Sequence, residues 1–153
     1  MPSIRRILFA TDFSAEADAA WAYATAFARD FEAELDLLHV LGPAPSQRAA
    51  GIGSAAATGS AEALRHAEAE LHRLVGSAEA LGLKAAAHLL PGEPRTQILR
   101  FARGQGIGLI VLAAHEDRVG ATRASPRLAE TIRREASCLV FIAGPPGRTP
   151  RAG

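Results

Sequence analysis

The residues of this chain whose types could carry chemistry are few: five histidines, a single cysteine and the polar run Thr11-Asp12-Phe13-Ser14. A nucleophilic serine needs a base and an orienting acid in contact with it, and commonly sits on a sharp Gly-x-Ser-x-Gly elbow. Ser14, Asp12 and either His39 or His115 supply the residue types, but no such elbow occurs. Cys138 opens the apolar run Cys138-Leu139-Val140-Phe141-Ile142, where a thiol is expected to pack as an unreactive side chain. His66 and His72 are spaced so that a helix would turn them in different directions, unlike a metal-binding pair separated by four residues. His39, His88 and His115 fall near strand ends, and nothing in their spacing dictates convergence. The Gly-x-x-x-x-Gly-Lys-Ser/Thr phosphate loop is missing. The sequence therefore predicts no catalytic residue and no metal site.

The elements that would position these residues alternate along the chain. Ile7-Leu8-Phe9-Ala10 is apolar towards both faces, as a doubly covered strand must be, and it stops at Thr11. Ser14 is suited to cap a helix running from Ala15 to about Arg29, with Ala19, Ala20, Tyr23, Ala24, Phe27 and Ala28 on one stripe. A second strand, Leu35 to Leu41, ends at Gly42-Pro43. The segment from Gly42 to Gly59 is rich in Gly, Ala, Ser and Pro and reads as a loop, with Ser60 capping the helix that carries Leu64, Ala67, Leu71, Leu74 and Val75. Lys84 to Leu90 is a short strand. Pro91-Gly92 is a turn, and Pro94 suits the first turn of a helix presenting Ile98, Leu99 and Ala102. The segment Ile107 to Ala114 contains the clearest buried strand, Leu109-Ile110-Val111-Leu112-Ala113, and a polar stretch follows from His115 to Ser125. Ser125-Pro126 then opens a helix with Leu128, Ala129, Ile132 and Ala136, and Cys138 to Ile142 is the last strand.

This β-α-β-α-β-α-β-α-β order predicts one three-layer α/β domain with a mostly parallel five-stranded sheet, because each return to the same sheet end needs a crossover helix. The expected strand order is 3-2-1-4-5. Its reversal between strands 1 and 4 would open a crevice at their carboxyl ends, bringing Thr11-Asp12 to Ala114-His115. Residues 1–144 are expected to form the domain, and 145–153 a flexible tail.

Composition narrows the function classes. Seventeen Lys and Arg against sixteen Asp and Glu leave a formal charge of +1, too small a field to steer the chain to nucleic acid or a membrane. With 48% hydrophobic but only 5% aromatic residues, the core must be built from Leu, Ile, Val and much Ala, which favours close approach of helices to the sheet. One cysteine excludes an intrachain disulfide, and no apolar stretch approaches the ~20 residues needed to span a bilayer. The expectation is a soluble, cytoplasmic protein.

Ile7-Leu8-Phe9-Ala10-Thr11-Asp12-Phe13-Ser14, Leu37-Leu38-His39-Val40 and Leu109-Ile110-Val111-Leu112 leading to His115 are landmarks in an order that resembles the universal stress protein family from about Ile4 to Ile142. Ala129-Glu130 and Ala136-Ser137-Cys138 add to the likeness. The resemblance implies a flavodoxin-like (Rossmann-like) fold, homodimerisation, and membership of either the ATP-binding or the motif-lacking branch. In the binding branch a Gly-x-x-Gly is followed after nine residues by Gly-Ser or Gly-Thr. Laid on this chain, those positions are Ala113, Glu116, Pro126 and Arg127. Glycine allows left-handed torsions and a close backbone approach to phosphate, whereas Glu116 and Asp117 put carboxylates beside that path.

The resemblance assigns Thr11, Asp12 and Val40 to a base and ribose region, and Ala113, His115 and Gly120 to the second crossover; a shifted register gives Gly120 or Ser125 a part in holding phosphate. Asp12 has two readings, as a hydrogen-bond acceptor or metal-placing group for a nucleotide, or as an Asx-type turn. His115 likewise reads as a phosphate contact or a solvent-facing loop residue, and Ser125 as a helix cap. The function implied is a non-enzymatic stress-response protein without obligatory ATP, acting as a homodimer through its last strand or on an unidentified protein partner. The alternative is an adenine-nucleotide sensor taking ATP or a related nucleotide with Mg²⁺ through a divergent phosphate loop.

Overall fold

The computed structural model describes residues 3–42, 56–113 and 126–144. Five strands, β1 (Arg6–Ala10), β2 (Glu34–Leu41), β3 (Ala85–Pro91), β4 (Leu109–Ala113) and β5 (Leu139–Ala143), alternate with four helices, α1 (Ala15–Asp30), α2 (Ala56–Ala80), α3 (Pro94–Gly104) and α4 (Pro126–Glu135). The sheet order is β3-β2-β1-β4-β5, as expected, and all four pairings are parallel. α1 and α2 cover one face and α3 and α4 the other, giving the three-layer α/β/α fold.

The central strands explain their own composition. Ile7 and Phe9 of β1 turn towards α1 and α2, while Leu8 packs with Ile98, Ile110 and Ile132 on the other side. Both faces being dry, neither strand can alternate with polar residues. Alanine sets the spacing of the first layer: Ala17, Ala20, Ala24 and Ala28 are buried along one stripe of α1 against the sheet. Thr25, also buried in that helix, gives its hydroxyl to the Trp21 and Ala22 carbonyls and so leaves no polar atom stranded.

Several boundaries differ from the sequence expectation. α2 begins at Ala56, so Ser60 lies inside the helix instead of capping it, and 56–59 are helical instead of loop. The alanines there are strong helix formers, which outweighs the glycine and serine content of the stretch. Pro91 belongs to β3, where a proline is tolerated on an edge strand, and the chain turns at Gly92, whose φ is 129°. β4 coincides with the expected run Leu109 to Ala113, whereas β5 is shifted by one residue, leaving Cys138 just before it. Burial raises the Cys138 thiol pKa, in keeping with an unreactive side chain. The remainder of the 42–59 loop, the Ser125 cap and the 145–153 tail lie outside the described residues.

One polar feature inside the sheet was not anticipated. Asp36, in the apolar run of β2, has a side chain only 4% exposed. The Arg6 guanidinium of β1 donates to both carboxylate oxygens at 3.0 Å, and His88 of β3 donates from Nε2 to Oδ1 at 2.9 Å. Arg6 also donates from Nη1 to the Gln105 carbonyl at 3.0 Å, tying the end of α3 to the sheet. The hydrogen bond to Asp36 raises the Arg6 pKa above its ordinary value. His88 and Phe101 of α3 are in ring contact with centroids 4.6 Å apart. A carboxylate here is tolerated because the strands on either side supply its donors, Arg6 from β1 and His88 from β3. Since Arg6 and His88 keep some contact with water, Asp36→Ala is expected to destabilise the fold by about 3 kcal/mol, the low end for a broken buried pair. Urea unfolding measures this directly; a loss under ~1 kcal/mol would mean that water satisfies Arg6 and His88 equally well.

Candidate functional site

The strand order places the carboxyl ends of β1 and β4 side by side, with their following helices leaving on opposite faces. Such a reversal opens a crevice. Here it is a cleft of about 600 Å³, counting the part open to solvent, on the α3–α4 side of the sheet. Thr11, Asp12, Val40 and Ala113 all line it, so four of the sequence-designated residues come together. Ile98, Leu128 and Ala129 supply apolar walls, and Pro94 at the start of α3 stands at the rim. His115, Gly120 and Ser125 lie outside the described residues.

The β1–α1 turn is held by its own side chains. Thr11 Oγ1 accepts the Phe13 amide at 3.0 Å, Asp12 Oδ1 accepts the Ser14 amide at 3.0 Å, and Ser14 Oγ accepts the Ala17 amide at 3.2 Å. Three short polar residues within four positions thus each bond forward along the chain, and the last of them caps α1. Asp12 accordingly makes the Asx-type turn that was one of its two readings. Phe13 sits between these bonds with φ at 63°, a left-handed conformation that is uncommon for a bulky residue and costs on the order of 1 kcal/mol. The turn keeps it there, and its ring earns the position by packing against His39, centroids 4.4 Å apart.

His39 is the titratable group most tightly built into this corner. Its Nδ1 lies 2.7 Å from the Thr11 carbonyl, which can only accept, so Nδ1 carries the hydrogen. Phe13 covers one side of the imidazole and itself meets His66 of α2 edge-on at 5.9 Å. His39 and His66 both pack against the Phe13 ring, while His88 is engaged with Asp36 and stands apart from them. Among the described residues no group of three or more potential ligands could hold a metal ion. Sequence reasoning missed the His39–Phe13–His66 stack because its members are 26 and 53 positions apart, counting from Phe13, and no local spacing announces it. The apolar neighbours of Asp36 were, by contrast, a usable signal: a carboxylate inside such a run must have partners.

The doubly wound sheet with its strand-order reversal between β1 and β4 defines the class as a three-layer, flavodoxin-like α/β domain. The universal stress protein family pattern matches residues 3–143, and the chain belongs to that family. Among solved structures, the protein MJ0577 superposes with a TM-score of 0.76 at 19% identity, covering 98% of this chain and 100% of its own. The universal stress protein from Archaeoglobus fulgidus in complex with dAMP gives 0.64 at 21% identity, with 92% of this chain and 98% of that one covered. A universal stress protein in complex with cAMP gives 0.62 at 17% identity, covering 93% and 98%. At such identities the likeness establishes the fold. Among curated proteins no significant sequence match is found.

Burial lowers the His39 pKa; the Thr11 carbonyl and Asp12 pull it up, and His66 pushes it further down. The lowered value sets the sign of the pH response. The native state takes up a proton less readily than the unfolded chain, whose histidine titrates near ~6.5. The stability that His39 contributes is full above that pH and is lost as pH falls through the folded value. Between about pH 8 and about pH 5 the wild type should therefore lose more stability than a His39→Gln variant, measured as urea midpoints. Parallel curves would mean that this imidazole is freely solvated.

Proposed function

We propose that this is a non-enzymatic stress-response protein of the cytoplasm that acts by pairing with a second copy of itself or with another protein, without obligatory ATP. The observation that supports it is the free edge of β5. That strand pairs with β4 alone among the described residues, and Leu139 at its start is 64% exposed. Phe141 continues the apolar surface into an aromatic row on α1, meeting Tyr23 at 4.9 Å and Phe27 at 5.0 Å, with Phe31 beyond at 47% exposure. An open strand edge beside apolar side chains invites pairing, and an isologous antiparallel contact between two β5 strands would close it. The sequence adds that Ala113, Glu116, Pro126 and Arg127 replace the residues on which a triphosphate would rest.

Adenine-nucleotide sensing is the second reading, favoured by the cleft. Thr11, Asp12, Val40 and Ala113 line a largely apolar cleft, and related folds are known in complex with dAMP and cAMP. Val40 and Ile98 would contact a base, and Thr11 and Asp12 would lie towards the ribose. On this reading AMP binds about as well as ATP, because the distal phosphates find no glycine nest.

Two measurements separate these readings. Sedimentation over a concentration series should show dimers for the wild type and a shift towards monomers for Leu139→Glu, whose exposed position spares the fold; monomers throughout would count against self-pairing. Calorimetric titration with ATP and AMP, each with and without Mg²⁺, should give no binding up to millimolar nucleotide under the first reading. Micromolar binding weakened by Asp12→Ala would favour the sensor.

A further inference from the structure

Away from the cleft and from β5, the outer sides of α3 and α4 enclose a groove lined by Arg95, Leu99, Arg100, Arg103 and Glu135. With 3.6 residues per turn, Arg95, Leu99, Arg103 and Arg100 fall on one arc of α3 about 140° wide. The three guanidinium groups are thus presented to one side instead of being scattered around the helix. All three arginines are exposed, and Leu99 is partly exposed between them. Their electrostatic situations differ. Arg95 is held by the Glu135 carboxylate of α4, which raises its pKa above the ordinary value. Neither Arg100 nor Arg103 has an ion-pair partner among the described residues. Arg73 and Arg133, also exposed, each pair with a glutamate three residues away. Arg5, Arg29, Arg65 and Arg134 are exposed as well and make no ion pair among the described residues, so what sets Arg100 and Arg103 apart is their place with Arg95 on one arc of a helix beside a groove.

We infer that this groove docks an acidic segment of a partner protein. Arginine is the residue suited to carboxylate recognition, since its planar fork can give two parallel hydrogen bonds and is weakly hydrated. Dimensions agree: the eight-residue step from Arg95 to Arg103 rises about 12 Å along the helix. An extended chain brings alternate side chains to the same face every ~6.6 Å, so three acidic residues at alternate positions span about 13 Å. Leu99 gives the segment an apolar contact between the charges. A nucleic acid is the poorer match, because no aromatic side chain lines the groove to stack a base and the chain's net charge is only +1. Glu135 acts as a regulator of the third fork: while it holds Arg95, two guanidinium groups are available.

This inference rests on the partner-binding reading, but none of the groove residues belongs to β5 or α1, so self-pairing and acidic docking can fail separately. The test uses the full chain and a fluorescent peptide of about twelve residues alternating Glu and Ser, followed by fluorescence anisotropy at low salt. The wild type should bind the peptide, and raising the salt to about 0.5 M should abolish the signal by screening. Arg100→Gln/Arg103→Gln should weaken binding at least about tenfold while leaving thermal unfolding and sedimentation unchanged. Arg100→Lys/Arg103→Lys should recover part of the affinity, and Glu135→Gln, which releases Arg95, should tighten it. No peptide binding at low salt, equal binding by the double Gln variant, or tighter binding of a single-stranded oligonucleotide of matching charge would overturn the assignment. So would complete displacement by inorganic phosphate at a concentration too low for general screening. Loss of dimers with peptide binding intact would overturn self-pairing alone.

Discussion

β1 is hydrogen-bonded on both sides, to β2 and to β4, and everything else in the molecule depends on that double parallel pairing. A strand in that position cannot expose either face, so its side chains must be apolar above and below. It also cannot reach either neighbour by a tight turn, so each connection has to cross a face of the sheet. The chain goes one way from β1 to β2 and β3, and returns on the other side to β4 and β5. The cleft is the geometric residue of that change in direction. No side chain creates it; Thr11, Asp12, Val40 and Ala113 line it because they end strands at that point.

What could be read from sequence follows from this. The five apolar runs, the cap at Ser14, the proline that opens α3 at Pro94 and the strand order are local or topological consequences of patterning, and they are legible one segment at a time. The meeting of four designated residues followed from the topology, since strand ends converge whatever their identity. Contacts between distant segments were not legible. Asp36 reaches Arg6 and His88 across 30 and 52 residues, and nothing in the runs Arg5-Arg6-Ile7 or Ala87-His88-Leu89 names a partner. The start of α2 was misplaced because glycine, serine and alanine signal loop by composition, while alanine signals helix by propensity, and propensity prevailed from Ala56 onward.

The β1–α1 turn and the Asp36 cluster show two ways of placing polar groups in a largely aliphatic protein. In the turn, Thr11, Asp12 and Ser14 each satisfy an amide two or three residues ahead, so the conformation is written into consecutive residues and holds Phe13 in a strained geometry. In the sheet, a single carboxylate on β2 collects donors from the two flanking strands and, through Arg6, is linked to the end of α3. The first device fixes local backbone shape at the rim of the cleft. The second locks strand register at the opposite end of β1, where a slip of one residue would carry Arg6 to the wrong face.

The alanine stripe of α1 has a further consequence. Alanine has no rotamers, so a wall built from Ala17, Ala20, Ala24 and Ala28 has one way to pack and no side chain to swing aside. The other layer alternates Ala102 and Ala129 with the larger Ile98, Leu128 and Ile132. The two sides of the sheet therefore differ in grain: α1 meets it as a smooth wall of fixed shape, and only the opposite layer brings large side chains to the cleft.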